Sequence, residues 1–423
     1  MADTVVDVHV VVGAEELLAG RIWSRRRRGS ESASFTYDNA YLAHPAAYAL
    51  EPGLPLAAGQ QQTPGERATF AAFSDCAPDR WGRRLIQRDE EHRAERDGDA
   101  ERSFGEIDYV LGVRDDLRQG ALRFRDPDGG PYLAEEQRGI PHLLDLGALL
   151  GAADRLERDS ATEDELHLLL QGGSSLGGAR PKVHVLDADG RIAIAKFPSP
   201  SSDDWDVMRW ESAALRLARD AGIRVPDFHL HDVGGTAVLI VDRFDRAGEQ
   251  RVGYASAMTM LEHSDGDHGS YLDIADVIET ESPRAGDDLR ELWRRMVFSV
   301  LIRNVDDHLR NHGFLRETTA GWTLSPAFDL NPDPRPGPKL LNTAIDYDAR
   351  EARIDLALDV AGFFRLTEQE AAAVLAEVMG ATRGWRRAAT EAGLGSSEID
   401  RMARAFEHEE AERARVVASR AGH

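Results

Sequence analysis

Hydrophobic positions change period along the chain. Near the start they alternate: Thr4 to Val12 is rich in valine, Gly13-Ala14-Glu15-Glu16 makes a turn, Leu17 to Trp23 follows, and Ser34 to Tyr37 repeats the pattern. Period-two runs bounded by turn residues predict short strands. Pro45, Pro52, Pro55 and Pro64 then mark an irregular stretch. A helix is expected around Ala77 to Ile86, with a solvated continuation from Asp89 to Arg102, and a short strand over Gln119 to Phe124. Asp126 to Pro131 is a loop and a candidate boundary.

Helical periodicity takes over from Ala148 to Leu170. It ends in a Gly/Ser-rich run, Gln171 to Ala179, that stands before a predicted hairpin: Lys182 to Leu186, a turn at Asp187 to Gly190, then Arg191 to Phe197. A helix over Asp204 to Ala221 and a strand over Thr236 to Val241 follow. From Tyr254 onward the pattern is mainly helical, with helices expected over 271–278, 287–302, 368–379, 384–392 and 397–417. These shifts predict an α+β chain in three parts: a β-rich N-terminal subdomain over 1–125, a mixed α/β lobe over 126–248 and an all-helical C-terminal lobe over 249–423.

Composition narrows the function. The net charge is −23, which disfavours bulk attraction to nucleic acid or an anionic membrane. Arg25-Arg26-Arg27-Arg28 is a local exception, read as a solvated loop or a phosphate contact. A lone cysteine, Cys76, excludes an intramolecular disulfide and a Cys-based zinc cluster. No signal peptide and no apolar run of about 18 residues is expected. A cytoplasmic protein without a membrane partner fits these features.

The chemistry concentrates in Asn304 to His312, which packs two carboxylates, two histidines and two amides behind the apolar run Met296 to Ile302. Asp306 and Asn311 have the spacing D-x-x-x-x-N, which in a kinase catalytic loop places a base and a metal-holding amide. Asp329 follows Phe328, as a metal-binding Asp of such a site would. The alternative is that these residues are loop caps and turn formers. The glycine run lacks the P-loop signature and precedes a strand, which disfavours a P-loop NTPase, yet its backbone N–H groups can still cradle phosphates. Lys196 lies on a half-buried strand and needs an anion, or else snorkels from the strand end. Glu211 either pairs with it or is solvated.

The order glycine run, strand lysine, hinge, D-x-x-x-x-N, Phe-Asp resembles the HipA family of serine/threonine kinases, toxins of bacterial toxin–antitoxin pairs. The matching pieces are Ser175 to Lys182, Val241 to Arg246, Asn304 to Asn311 and Pro326 to Asp329, with Phe73 to Gly82 and Gly120 to Phe124 upstream. The resemblance implies a bilobal protein-kinase-like fold, with the middle part as the nucleotide lobe. It implies Asp306 as catalytic base and Asn311 and Asp329 as ligands of Mg²⁺. Leu176, Gly177, Gly178, Ala179, Lys182, Lys196, Asp242, Phe244 and His308 would bind ATP, the lysines at its phosphates and Asp242 and Phe244 at its adenine. Ser175 would be an autophosphorylation site. A helix-turn-helix antitoxin is the implied partner, with DNA reached only through it, and an aminoacyl-tRNA synthetase the natural protein substrate.

Three other readings compete. A metal-dependent hydrolase would use Asp306, Asp307, His308, His312 and Asp329, but leaves the glycine run and Lys196 unexplained. A small-molecule phosphotransferase shares the catalytic spacing but lacks the β-rich N-terminal unit and the hinge sequence. A non-catalytic member of a transcription-control complex would survive loss of Asp306.

Overall fold

The computed structural model describes residues 4–27, 30–134, 139–173, 180–248 and 250–421. The valine-rich N-terminus forms strands β1 (Thr4–Val12), β2 (Glu15–Arg27) and β3 (Ser30–Tyr37). With β4 (Gln60–Gln62) and β5 (Leu122–Arg125) they make one antiparallel sheet, ordered β4-β3-β2-β1-β5. Arg25, Arg26 and Arg27 are not a loop. They extend β2, because Arg26 stands opposite Glu31 and donates to the Ser103 carbonyl at 2.8 Å. Arg28 lies outside the described residues.

The stretch expected as one helix over 148–170 is two, Leu146–Glu157 and Glu163–Gln171. Asp159 turns left-handed at φ 54, and Thr162 then opens the second helix with a capping box to Glu165. Beyond it, β6 (Lys182–Leu186) and β7 (Ile192–Lys196) form the expected hairpin, and β8 (Phe228–Val233) and β9 (Thr236–Asp242) complete a sheet ordered β6-β7-β9-β8. Its ladders are all antiparallel. Helix Arg80–Asp97 comes from the N-terminal part of the chain. Even so, its Trp81 and Leu85 are buried in one apolar cluster with Val183 and Ala195 of this sheet and with Phe197 just past β7.

Two short strands, β10 (Arg246–Ala247) and β11 (Gln250–Arg251), lead into the C-terminal lobe. Helices dominate that lobe, but not alone. β12 (Gly253–Ser256), β13 (Gly313–Thr318) and β14 (Gly321–Leu324) form a three-stranded antiparallel sheet inside it. Short alternating strands carry little signal among long helices. The segment 397–417 is likewise split, into Ser396–Phe406 and Glu409–Ala421. His408 makes the break by turning its ring between the Leu301 carbonyl at 3.1 Å and the Ala411 N–H at 3.4 Å. Among the described residues no helix is long and apolar enough to cross a membrane.

Candidate active site

Helix Ala285–Ile302 is buried on every side of its C-terminal half, from Met296 to Ile302, and so is fixed rigidly in the core. It stops where Arg303 turns left-handed at φ 54 and the Asn304 N–H returns to the Ser299 carbonyl at 2.8 Å. The chain then enters the polar loop. Fully buried Asn304 accepts the Asn331 N–H at 3.3 Å, which ties this loop to the one carrying Asp329.

Adjacent carboxylates in the loop face opposite ways. Asp306 reaches the surface and accepts a hydrogen bond from the Asn342 side chain at 2.9 Å. Partial loss of water pushes its carboxyl above the usual range; His308 and Arg180 oppose that rise, and the Asp329 charge adds to it. A carboxylate raised in this way is the better proton acceptor. Asn311 donates its amide N–H to the Asp306 carbonyl at 3.1 Å, so its oxygen is the atom that could hold a cation.

Asp307 points into the core. Tyr271 donates its hydroxyl to it, Ser299 donates at 3.1 Å, and His312 Nε2 lies 3.2 Å away. Thr343 donates to its carbonyl at 2.7 Å. Burial alone would raise the Asp307 carboxyl, but His312 and the two hydroxyls outweigh it and hold it below the ordinary range. Asp307 and His312 thus brace the loop. The five residues of the hydrolase reading do not converge, and among the described residues no three His, Cys, Asp or Glu side chains are placed to hold a metal ion.

Asp329 sits at φ 58, a left-handed conformation that Asp tolerates better than most residues. Its carboxylate is 3.4 Å from Lys196 Nζ and accepts from the Asn331 amide at 3.2 Å. Burial works against its charge, but Lys196, Lys182 and Arg180 prevail and hold its pKa at about 2. Lys196 also meets Glu211, buried on helix Val207–Asp220, at 2.5 Å. Burial opposes the ammonium, but the two carboxylates raise its pKa. The open choice for Glu211 is therefore settled as a pair.

At the hinge, Asp242 closes β9 and Phe244 packs on Phe328, with ring centroids 5.5 Å apart, directly before Asp329. Arg243 is buried. It donates to Asp245 at 2.6 Å, to the Leu117 carbonyl at 2.7 Å and to His184 Nε2 at 3.1 Å. Since arginine only donates, His184 Nε2 accepts and its Nδ1–H donates to the Gly172 carbonyl at 2.9 Å. The foot of the glycine run is thereby tied to the hinge.

Ser175, Leu176, Gly177, Gly178 and Ala179 lie outside the described residues. Lys182 is engaged by Asp79 at 3.0 Å. His308 opens the 3₁₀ turn Leu309–Asn311, and its buried Nδ1 has no hydrogen-bond partner among the described residues. Four site residues were not singled out from sequence: Asn304, Arg180, Asn331 and Asn342. The first three stand inside the matched stretches or beside Asp329, where a signal existed. Asn342 carries none, since only folding brings it to Asp306.

Residues 174–386 match the family model of the HipA-like C-terminal domain, and residues 10–102 match that of the HipA N-terminal domain. A candidate kinase of Sinorhizobium fredii, Y4dM, is 32% identical over 152 residues, covering 32% of this chain and 36% of that protein. A candidate kinase of Haemophilus influenzae is 24% identical over 196 residues, covering 41% of this chain and 57% of that one. The chain thus spans 36% to 57% of the length of these curated relatives. The fold is that of Shewanella oneidensis HipA, solved with HipB and its operator DNA: the TM-score is 0.64 at 17% identity, over 98% of this chain and 99% of that one. A C-terminal match over half the chain, preceded by the matching N-terminal domain, makes this chain a member of the HipA family.

Proposed function

We propose that the chain is a serine/threonine protein kinase that moves the γ-phosphate of ATP to a protein hydroxyl and serves as the toxin of a toxin–antitoxin pair. The observation that carries the reading is Lys196 held between Glu211 and Asp329, with Asp306 standing within the electrostatic reach of Asp329 as a raised carboxylate. Phosphoryl transfer needs positioning and charge neutralisation more than covalent help. Lys196 supplies a fixed positive charge for phosphate oxygens. Asp306 accepts the hydroxyl proton, oriented by Asn342. Phe244, beside Asp242, offers an aromatic wall for the adenine.

The residues fit a hard cation. Asp329 stays ionised, the Asn311 oxygen is left over by its own amide bond, and the buried Asn331 oxygen has no hydrogen-bond partner among the described residues. Asp329 and Asn311 would hold Mg²⁺, which prefers oxygen donors and neutralises phosphate charge when bound. Lys182, His308 and the glycine run from Leu176 to Ala179 would complete the ATP contacts, and Ser175 would be phosphorylated by the kinase itself.

A small helix-turn-helix antitoxin is the proposed partner, a reading supported by the Shewanella toxin–antitoxin complex of HipA with HipB and operator DNA. The −23 charge supports DNA contact through that partner and not through this chain. An aminoacyl-tRNA synthetase is the proposed class of substrate. The test is transfer of labelled γ-phosphate from Mg-ATP to lysate proteins by the purified chain. Label on serine or threonine supports the reading. Release of free phosphate alone, or transfer only to small molecules, contradicts it.

A further inference from the structure

Two lysines face each other on neighbouring antiparallel strands: Lys182 opens β6, and its register partner is Lys196 at the end of β7. Like charges at directly opposed positions repel, so each needs a carboxylate. Lys196 has Glu211 and Asp329. Lys182 has Asp79, whose Oδ2 lies 3.0 Å from its Nζ. Both side chains of this second pair are nearly out of water, at 8% and 4% exposure.

Asp79 arrives from outside the nucleotide lobe. It caps helix Arg80–Asp97, its Oδ1 accepting the Gly82 N–H at 2.7 Å. Trp81 and Leu85 seat that helix against the sheet carrying both lysines. One oxygen of Asp79 is therefore fixed by the cap, and the other faces the ammonium. Lys182 also borders the loop of Asp329, since its register partner Lys196 lies 3.4 Å from that carboxylate.

We propose that Asp79 is a positioning residue for nucleotide binding: it holds the Lys182 ammonium toward the phosphate side of the site, so that the N-terminal subdomain sets the affinity for Mg-ATP. The proposal rests on the kinase reading above. A bond to a fixed carboxylate restricts where an ammonium can sit. A lysine held in this way gives up its rotamer freedom on folding instead of on binding. The rival account gives Asp79 the cap alone, with no effect carried by Lys182.

The Kd for Mg-ATP separates the accounts, measured on the full chain as wild type, Asp79→Asn, Asp79→Glu, Lys182→Met and the double variant Asp79→Asn/Lys182→Met. Asn keeps a capping oxygen and removes the charge. Asp79→Asn should weaken binding about tenfold, the coupling that contacting charged residues show. Asp79→Glu should recover part of it. In the Lys182→Met background the same change should matter less than about twofold, because no ammonium is left to aim. Unchanged affinity in Asp79→Asn, or an equal loss with and without Lys182, overturns the proposal. If Asp79→Asn alone does not fold, Asp79→Glu made with and without Lys182→Met decides by the same rule. A wild-type chain that fails to bind Mg-ATP defeats the kinase reading itself, a result distinct from any failure of Asp79.

Discussion

Replacing Asp329 by Asn isolates its charge. Asn tolerates the left-handed φ of 58 that Asp329 adopts, so the backbone is not strained. What is lost is attraction to Lys196, Lys182 and Arg180, which overcome burial to hold the carboxyl at about 2 against an ordinary 3.8. That difference is worth about 2 kcal/mol of stability at neutral pH. The folded-state pKa is depressed, so the contribution is present above the unfolded value and is lost as pH falls from about 4 to about 2. Urea unfolding of both proteins should show Asp329→Asn less stable by about 2 kcal/mol at pH 7. The gap should close below about pH 2, where the wild-type carboxyl becomes protonated too. Mg-dependent ATP turnover should vanish at pH 7 while the fold persists. Equal stability at pH 7, or a deficit that stays constant into acid, would refute the charge argument. Wild-type turnover would make Asp329 a turn residue only.

Three further outcomes follow from the site. Glu211→Gln removes one partner of a buried pair and should cost about 3 kcal/mol, the low end for such breaks, because Lys196 keeps Asp329; urea midpoints check the loss, and a parallel Mg-ATP titration should show weaker binding. Tyr271→Phe takes a donor from buried Asp307 and should cost about 2 kcal/mol; since that hydroxyl helps depress the Asp307 pKa, acid unfolding should begin at a higher pH than in wild type. At Ser175, added charge should block ATP binding in the Asp variant while the Ala variant retains it; equal affinities, with no phosphate on Ser175 after incubation with Mg-ATP, would end the idea of self-control.

The sequence was most legible where pattern and chemistry are local. The hairpin around Asp187 to Gly190 and the apolar run before Asn304 need only near neighbours, and both formed as expected. The Lys196–Glu211 pair joins a strand end to a helix 15 residues on, and sequence could offer it only as one of two readings. Asp307 and His312 look like metal ligands in a polar nonapeptide. Their turn into the core is set by Ser299 together with Tyr271 and Thr343, and sequence places neither of the last two nearby. Asn342 reaches Asp306 across 36 positions. The Asp79–Lys182 pair spans 103 and joins two parts of the chain. Helix breaks at Asp159 and His408 were missed because the helical period on either side nearly continues through them.

The most direct test of the central claim is a phosphoproteome of cells expressing the wild-type chain against cells expressing Asp306→Asn. The substitution keeps a side chain that can meet Asn342 and removes the proton acceptor, which should cost at least about 10²-fold in rate. The account predicts serine or threonine phosphosites that appear only with wild type. Identical phosphosites from both proteins would contradict it.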